Sequence, residues 1–260
     1  MKRLLLFILV SLTLSFYSRP GGTTLKQPEK WVSLLNGKDL TGWTPKITGY
    51  AAGENFGNTF RIEDGLLKIR YDAYGSFNKR FGALHYNRKL TSYRLRVEYR
   101  FTGDTIAGAP VWGFKDGGIQ YYGQSLESMG VDQPFPVSLE FNLHGGNGSQ
   151  ERPTGEVCAN GIYFFMNGSR NTSYCTLPVV QKTFHGGEWI TAEIDIHDGK
   201  ITHYINGEEI ISFNNPMYDT AHAITKTLVK GPDYAVKDGY LSIQSNSHPM
   251  DFRKIEIMEY

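Results

Sequence analysis

Glu140, Asn142 and His144 take alternate places in Val137-Ser138-Leu139-Glu140-Phe141-Asn142-Leu143-His144. An extended chain turns all three to one side, each about 7 Å from the next. A carboxylate and an imidazole so placed can take up and hand over protons, and the amide between them can hydrogen-bond a neutral ligand. Gln244 and His248 flank the end of a second apolar-polar run, Tyr240-Leu241-Ser242-Ile243-Gln244-Ser245, and Arg253 follows on the next strand. Gln120 and Tyr122, two apart, would share a face and offer a hydrogen bond and a ring. Trp112, in a loop between Pro110 and Gly113, is the better stacking candidate, whereas Trp43 and Trp189 read as core. Glu140, His144 and His248 are thus the candidate catalytic groups; Trp112, Gln120, Tyr122, Asn142, Gln244 and Arg253 are candidate ligand contacts.

Each has an ordinary counterpart. A Glu on the wet face of a strand is commonly just solvated, His144 precedes Gly145-Gly146 and could only end its strand, and His248 before Pro249 could be a turn residue. Arg253 reads equally well as a structural side chain satisfying sheet carbonyls.

The elements that must hold these groups are strands. Tyr93, Leu95, Val97, Tyr99 and Phe101 alternate with Arg94, Arg96, Glu98 and Arg100, which predicts a strand with one buried and one wet face. Asp64-Gly65 and Asn206-Gly207, each between apolar runs, predict two-residue hairpins. Ile190, Ala192, Ile194 and Ile196 predict another inward face. Helical periodicity is scarce: Ser125 to Gly130 allows one turn, and 216–236 reads as a long irregular connection. Evenly spaced strands with turn signals predict an all-β, two-sheet antiparallel sandwich. No internal repeat, phosphate loop, dinucleotide fingerprint or nucleophile elbow is present.

The balance of 27 Lys plus Arg against 26 Asp plus Glu leaves a formal charge of +1, which argues against nucleic acid or an anionic membrane as partner and for a neutral ligand. Met1-Lys2-Arg3 and the apolar run from Leu4 to Leu14 are too short to span a bilayer and predict an export signal over 1–18, cut near Ser15 or Ser18. A polar linker over 19–30 and one domain over 31–260 follow, with no membrane span in the mature chain and a periplasmic or extracellular location. In an exported chain the two cysteines, Cys158 and Cys175, predict a disulfide closing a loop of about 18 residues, worth roughly 3 kcal/mol.

Leu34-Leu35-Asn36-Gly37-Lys38-Asp39-Leu40-Thr41-Gly42-Trp43 resembles the opening of the 3-keto-disaccharide hydrolase domain family. The resemblance continues through Gly118-Ile119-Gln120, Glu140, Gly187-Glu188-Trp189, Ile201-Thr202-His203-Tyr204-Ile205-Asn206-Gly207, Ile243-Gln244 and Phe252-Arg253-Lys254-Ile255. Arg152-Pro153-Thr154-Gly155 with Cys158 and Cys175 is similar to a subgroup carrying a cysteine pair. The family implies a jelly roll of the concanavalin A-like lectin/glucanase type, a carbohydrate site on its concave sheet and export by bacteria. It also implies cleavage of 3-keto-glycosides. Removing the acidified C2 hydrogen gives an enolate, the C1 substituent leaves, and water adds back. Such a site needs a base, a proton donor and an oxyanion partner, types supplied by Glu140, His144 and His248. The alternatives are a non-catalytic carbohydrate-binding module and a structural adhesion domain. No cofactor is required by the residue set; a divalent cation held by His and carboxylate is compatible with it, and no motif places one.

Glu193-Ile194-Asp195-Ile196-His197 resembles the Glu-Ile-Asp-Ile-Glu catalytic strand of glycoside hydrolase family sixteen, but His197 breaks the carboxylate pair that retention requires. It reads as an ordinary exposed strand face.

Overall fold

The computed structural model describes residues 30–260. The predicted export signal lies outside the described residues, as does all but residue 30 of the predicted linker. Two antiparallel sheets face each other. From edge to edge, the seven-stranded sheet runs Cys175–Thr176, Glu156–Asn160, Ser138–His144, Asp116–Gly123, Tyr240–Ser245, Gly82–Tyr86 and Trp43–Ile47. The ten-stranded sheet runs Ser169–Arg170, Ile162–Met166, Glu208–Tyr218, Lys200–Ile205, Ile190–His197, Tyr93–Phe101, Met250–Glu259, Leu66–Ile69 and Phe60–Glu63, with Val32–Ser33 paired to Met250–Glu259. The all-β, two-sheet antiparallel expectation holds.

Period-two alternation builds the core. Tyr93, Leu95, Val97, Tyr99 and Phe101 are all buried, and every residue between them is only half-buried. Ile119, Tyr121, Leu139, Phe141 and Leu143 face them from the seven-stranded sheet. Each such apolar side chain contributes about 1.5–3 kcal/mol on burial. His203 crosses between the layers: its ring stacks on Phe141 at 4.2 Å, and its Nε2 lies 2.9 Å from the Tyr121 hydroxyl. The back of the Glu140 strand is therefore clamped by a buried ring, which limits how far that strand can shift.

Both predicted hairpins form, with Asp64 and Asn206 at φ 55° and 50° and their glycines at 75° and 81°, the double left-handed turn that Asn-Gly and Asp-Gly favour. The connection read as irregular instead contains a short helix, Ala223–Leu228, whose N-cap His222 accepts from the Thr225 amide. Trp43 is core, its indole donating to Leu34 O at 2.8 Å. Trp189 is not. It lies half-buried on the outer face of the ten-stranded sheet beneath the guanidinium groups of Arg100 and Arg253, each 4.6 Å from its ring.

Candidate functional site

The outer face of the seven-stranded sheet carries a cavity of about 340 Å³, lined by Glu140, Asn142, His144, Asp116, Arg152 and Gln244 among others. That volume falls in the small-molecule range of about 300–1,000 Å³. Three strands deliver its floor. Gln120 and Glu140 are direct cross-strand partners, and Gly118 pairs with Asn142. Gly118 makes the room: a Cβ there would lie 2.3 Å from Glu140 Oε1 and 2.8 Å from Gln244 Oε1.

Glu140 is held by few donors. Gln244 Nε2 donates to its Oε2 at 3.2 Å. Gln120 lies beside it on the neighbouring strand, near enough to favour the charged carboxylate yet with its Nε2 outside hydrogen-bond geometry. Burial dominates, followed by the repulsion of Asp116, and together they push the Glu140 carboxyl up to about 8.

Asp116 is held quite differently. Its carboxylate accepts from His144 Nε2 at 3.0 Å, Arg152 at 2.9 Å and Asn246 Nδ2 at 2.7 Å. The other nitrogen of His144 faces the Pro153 carbonyl at 3.2 Å. Both ring nitrogens are thus engaged by Asp116 and Pro153, and neither turns to the cavity. His144 and Asp116 therefore form a hydrogen-bonded anchor, and the imidazole is poorly placed to act as a base. Arg152 joins the anchor to the aromatic rim, donating to the carbonyls of Trp112 (2.8 Å) and Phe114.

Trp112 is 48% exposed and stacks its ring on Phe81 at 5.5 Å and 7°. It lines the cavity with Phe135 and Tyr174. Cys158 and Cys175 form a disulfide, which is part of the same wall. Asn142 Nδ2 points to Cys158 Sγ at 3.6 Å, while its Oδ1 is buried with no partner. Glu156 completes the wall, its carboxylate 3.9 Å from His144 Nδ1.

The structure thus brings together Glu140, Asn142, His144, Gln244 and Trp112, with Gln120 opposite Glu140 on the neighbouring strand. Three expected residues lie elsewhere. His248 follows Ser247, whose φ of 90° swings the chain away from the cavity. Its ring sits edge-on between Phe101 and Phe114, with Nδ1 2.8 Å from Thr105 Oγ1. Burial holds that imidazole down at about 4, a neutral interior histidine. Tyr122 does not share the Gln120 face, because an irregularity in pairing with Tyr240–Ser245 and a φ of 53° rotate it into the packed interior beside Tyr121. Arg253 is the extra residue of a bulge between Phe252 and Lys254 on the opposite sheet, where it pairs with Glu98.

Asp116, Arg152, Glu156, Asn246, Phe135 and Tyr174 are the lining residues that sequence reasoning missed. Period two extended from Gln120 back to Asp116, and from Gln244 on to Asn246, would have found two of them. Arg152 and Tyr174 lie in segments without periodicity.

Among the described residues, one group has the proximity of a metal site, Glu156 with Cys158 and Cys175. Its two sulfurs are joined to each other, so no thiolate is offered and the donor set does not fit a resident cation. The Glu193 strand also differs from expectation. Glu193 is buried and paired with Arg94 at 2.8 Å and Arg96 at 3.3 Å, a structural carboxylate rather than an exposed one.

Two facing antiparallel sheets with a polar cavity on one outer face define a jelly-roll domain. The sequence pattern of the 3-keto-alpha-glucoside-1,2-lyase-like domain matches residues 30–258, and the chain belongs to that family. Among curated proteins none matches. Similar solved structures include two putative glycosyl hydrolases from Parabacteroides distasonis ATCC 8503. The first has TM-score 0.55 and 18% identity, covering 88% of this chain and 94% of that one. The second has TM-score 0.52 and 15% identity, covering 89% and 100%. A Bacillus subtilis protein of unknown function with a galectin-like fold has TM-score 0.51 and 6% identity, covering 88% and 98%. At these identities the likeness is one of fold.

Proposed function

We propose that the cavity binds a 3-keto-glycoside and that Glu140 is the proton carrier of its cleavage. The observation that carries this reading is a carboxyl on the cavity floor that no cation among the described residues touches, given one hydrogen bond by Gln244 and pushed up to about 8. A group that titrates near neutrality accepts and returns protons with little penalty either way. Glu140 in its ionised form takes the C2 hydrogen, the C2–H electron pair moves onto the C3 ketone, and Arg152 offers positive charge to the enolate oxygen. The enolate then re-forms its ketone as the C1–O bond breaks and C1=C2 forms; the departing oxygen receives the proton that Glu140 took from C2, and water, its hydroxyl adding to C1 and its proton to C2, completes net hydrolysis. Trp112 supplies the ring against which the sugar stacks. The family and the fold support the sugar class; the disulfide supports an oxidising, extracytoplasmic location.

The test is aglycone release from a 3-keto-glucoside together with C2 hydrogen exchange in heavy water. Glu140→Gln is expected to lower both by about 10²–10⁴-fold while keeping affinity. Tight binding without release or exchange by the parent protein would leave a carbohydrate-binding module instead.

A further inference from the structure

One rung of the seven-stranded sheet is polar from the Trp43–Ile47 edge as far as Glu140. Direct cross-strand partners run from Thr44 through His85, Ser242 and Gln120 to Glu140, one residue on each strand. Leu241 and Ile243, on either side of Ser242, point the other way into the core. His85, Ser242 and Gln120 are nevertheless as buried as the core itself, each at most 3% exposed. Polar groups kept that dry carry a cost unless something answers them.

The row is oriented. Ser242 Oγ donates to Gln120 Oε1 at 2.8 Å, inside the protein. With its oxygen engaged there, the Gln120 amide is left with its N–H donors at the other end, and Nε2 is buried without a partner. Gln120 is the direct partner of Glu140 and lies near enough to favour the ionised carboxylate. An amide held in the opposite sense would offer Glu140 an oxygen, which favours the protonated acid. The sense of that one amide therefore decides which form of Glu140 it supports, and the Ser242 hydroxyl decides the sense.

We propose that Ser242 and Gln120 are a positioning pair for Glu140, the serine fixing the amide so that its N–H groups serve the ionised carboxylate. The catalytic consequence rests on the reading of Glu140 as proton carrier given above. Neither residue lines the cavity, so the pair acts through Glu140 and not on the ligand. The titratable groups that face Glu140 are Asp116 from the Gln120 strand, His144 from its own, Arg152 and Glu156 across the cavity, Tyr174 from the edge and Tyr121 from the core side. None of these shares a side-chain hydrogen bond with Ser242, whose one such bond is to Gln120. His85, on the other side of Ser242, brings no charge to the row, because burial and Lys46 hold its imidazole down at about 4.

Carbon-13 NMR of protein labelled at the glutamate side-chain carboxyls reads the ionisation of Glu140 directly, its signal assigned by its loss in Glu140→Gln. Ser242→Ala and Gln120→Met are each expected to raise the midpoint by about 0.5–1 pH unit, roughly three- to tenfold in proton affinity and the effect of one hydrogen bond. The double variant should match Gln120→Met to within about 0.3 unit, because the serine acts through the amide alone. The pH profile of C2 hydrogen exchange should move with the midpoint. A midpoint that stays or falls in either single variant overturns the pair, even where stability drops, and so does a serine effect that persists in the Gln120→Met background. Midpoints that move as expected in a protein that exchanges no C2 hydrogen uphold the pair and sink the reading of Glu140 as proton carrier alone.

Discussion

The two outer faces of the sandwich start from the same sequence pattern and end in opposite electrostatic states. On the ten-stranded sheet, Arg94 and Arg96 hold Glu193, Arg96 also meets Glu256 at 2.9 Å, and Asp251 is held by Arg70 and Arg100. Guanidinium groups there also cover Trp31, Trp189 and Tyr204. On the seven-stranded sheet, Asn142 Oδ1, Gln120 Nε2 and Asn246 Oδ1 are buried with no partner, and no cation touches Glu140. A face that answers its own charges is structural. One that leaves them open is prepared for something else to answer them.

The comparison can be broken by removing one charge from each face. Asp251→Asn, on the paired face, strips the partner from two arginines and is expected to cost about 3–5 kcal/mol in denaturant unfolding, with turnover of the remaining folded protein unchanged. Gly118→Ala, on the open face, drives a methyl into the Glu140 carboxyl; the flexible group yields, so stability should hold while turnover falls about 10²-fold.

A pH series sharpens the contrast. Folding raises the Glu140 carboxyl from 4.5 to about 8, so the folded state binds the extra proton and stability falls as pH rises through that window. Glu140→Gln should match the parent near pH 4 and exceed it above pH 8 by up to about 5 kcal/mol. His85, His203 and His248 carry the opposite sign. Burial holds them at about 4, 3 and 4 against 6.5, so both proteins should lose stability as pH falls below 6.5. The smallest effect belongs to Arg253→Ala, which removes an exposed pair with Glu98 and should change stability by under about 1 kcal/mol and catalysis not at all.

The fold was legible because period two is a local property: Tyr93 to Phe101 alternate in sequence and in burial alike. The Glu140, Asn142, His144 row was legible for the same reason. What failed were the positions where the ladder loses its period. Tyr122 and Arg253 sit at pairing irregularities and His248 follows a left-handed residue, so counting by two sends each to the wrong side. Sequence alternation likewise could not tell Glu193 from Glu140, since the arginines that answer Glu193 come from a strand about a hundred residues earlier.

The strand Cys175–Thr176 pairs with Glu156–Asn160 over two residues only, in a register that sets Cys175 opposite Cys158. So short an outermost strand is a poor template for another molecule, and the covalent link keeps it from peeling off. Reduction would leave Glu156–Asn160 as a longer edge with its amides and carbonyls unpaired. The same bond that forms part of the cavity wall is therefore expected also to limit edge-to-edge association, and loss of monodispersity should follow when it is cut.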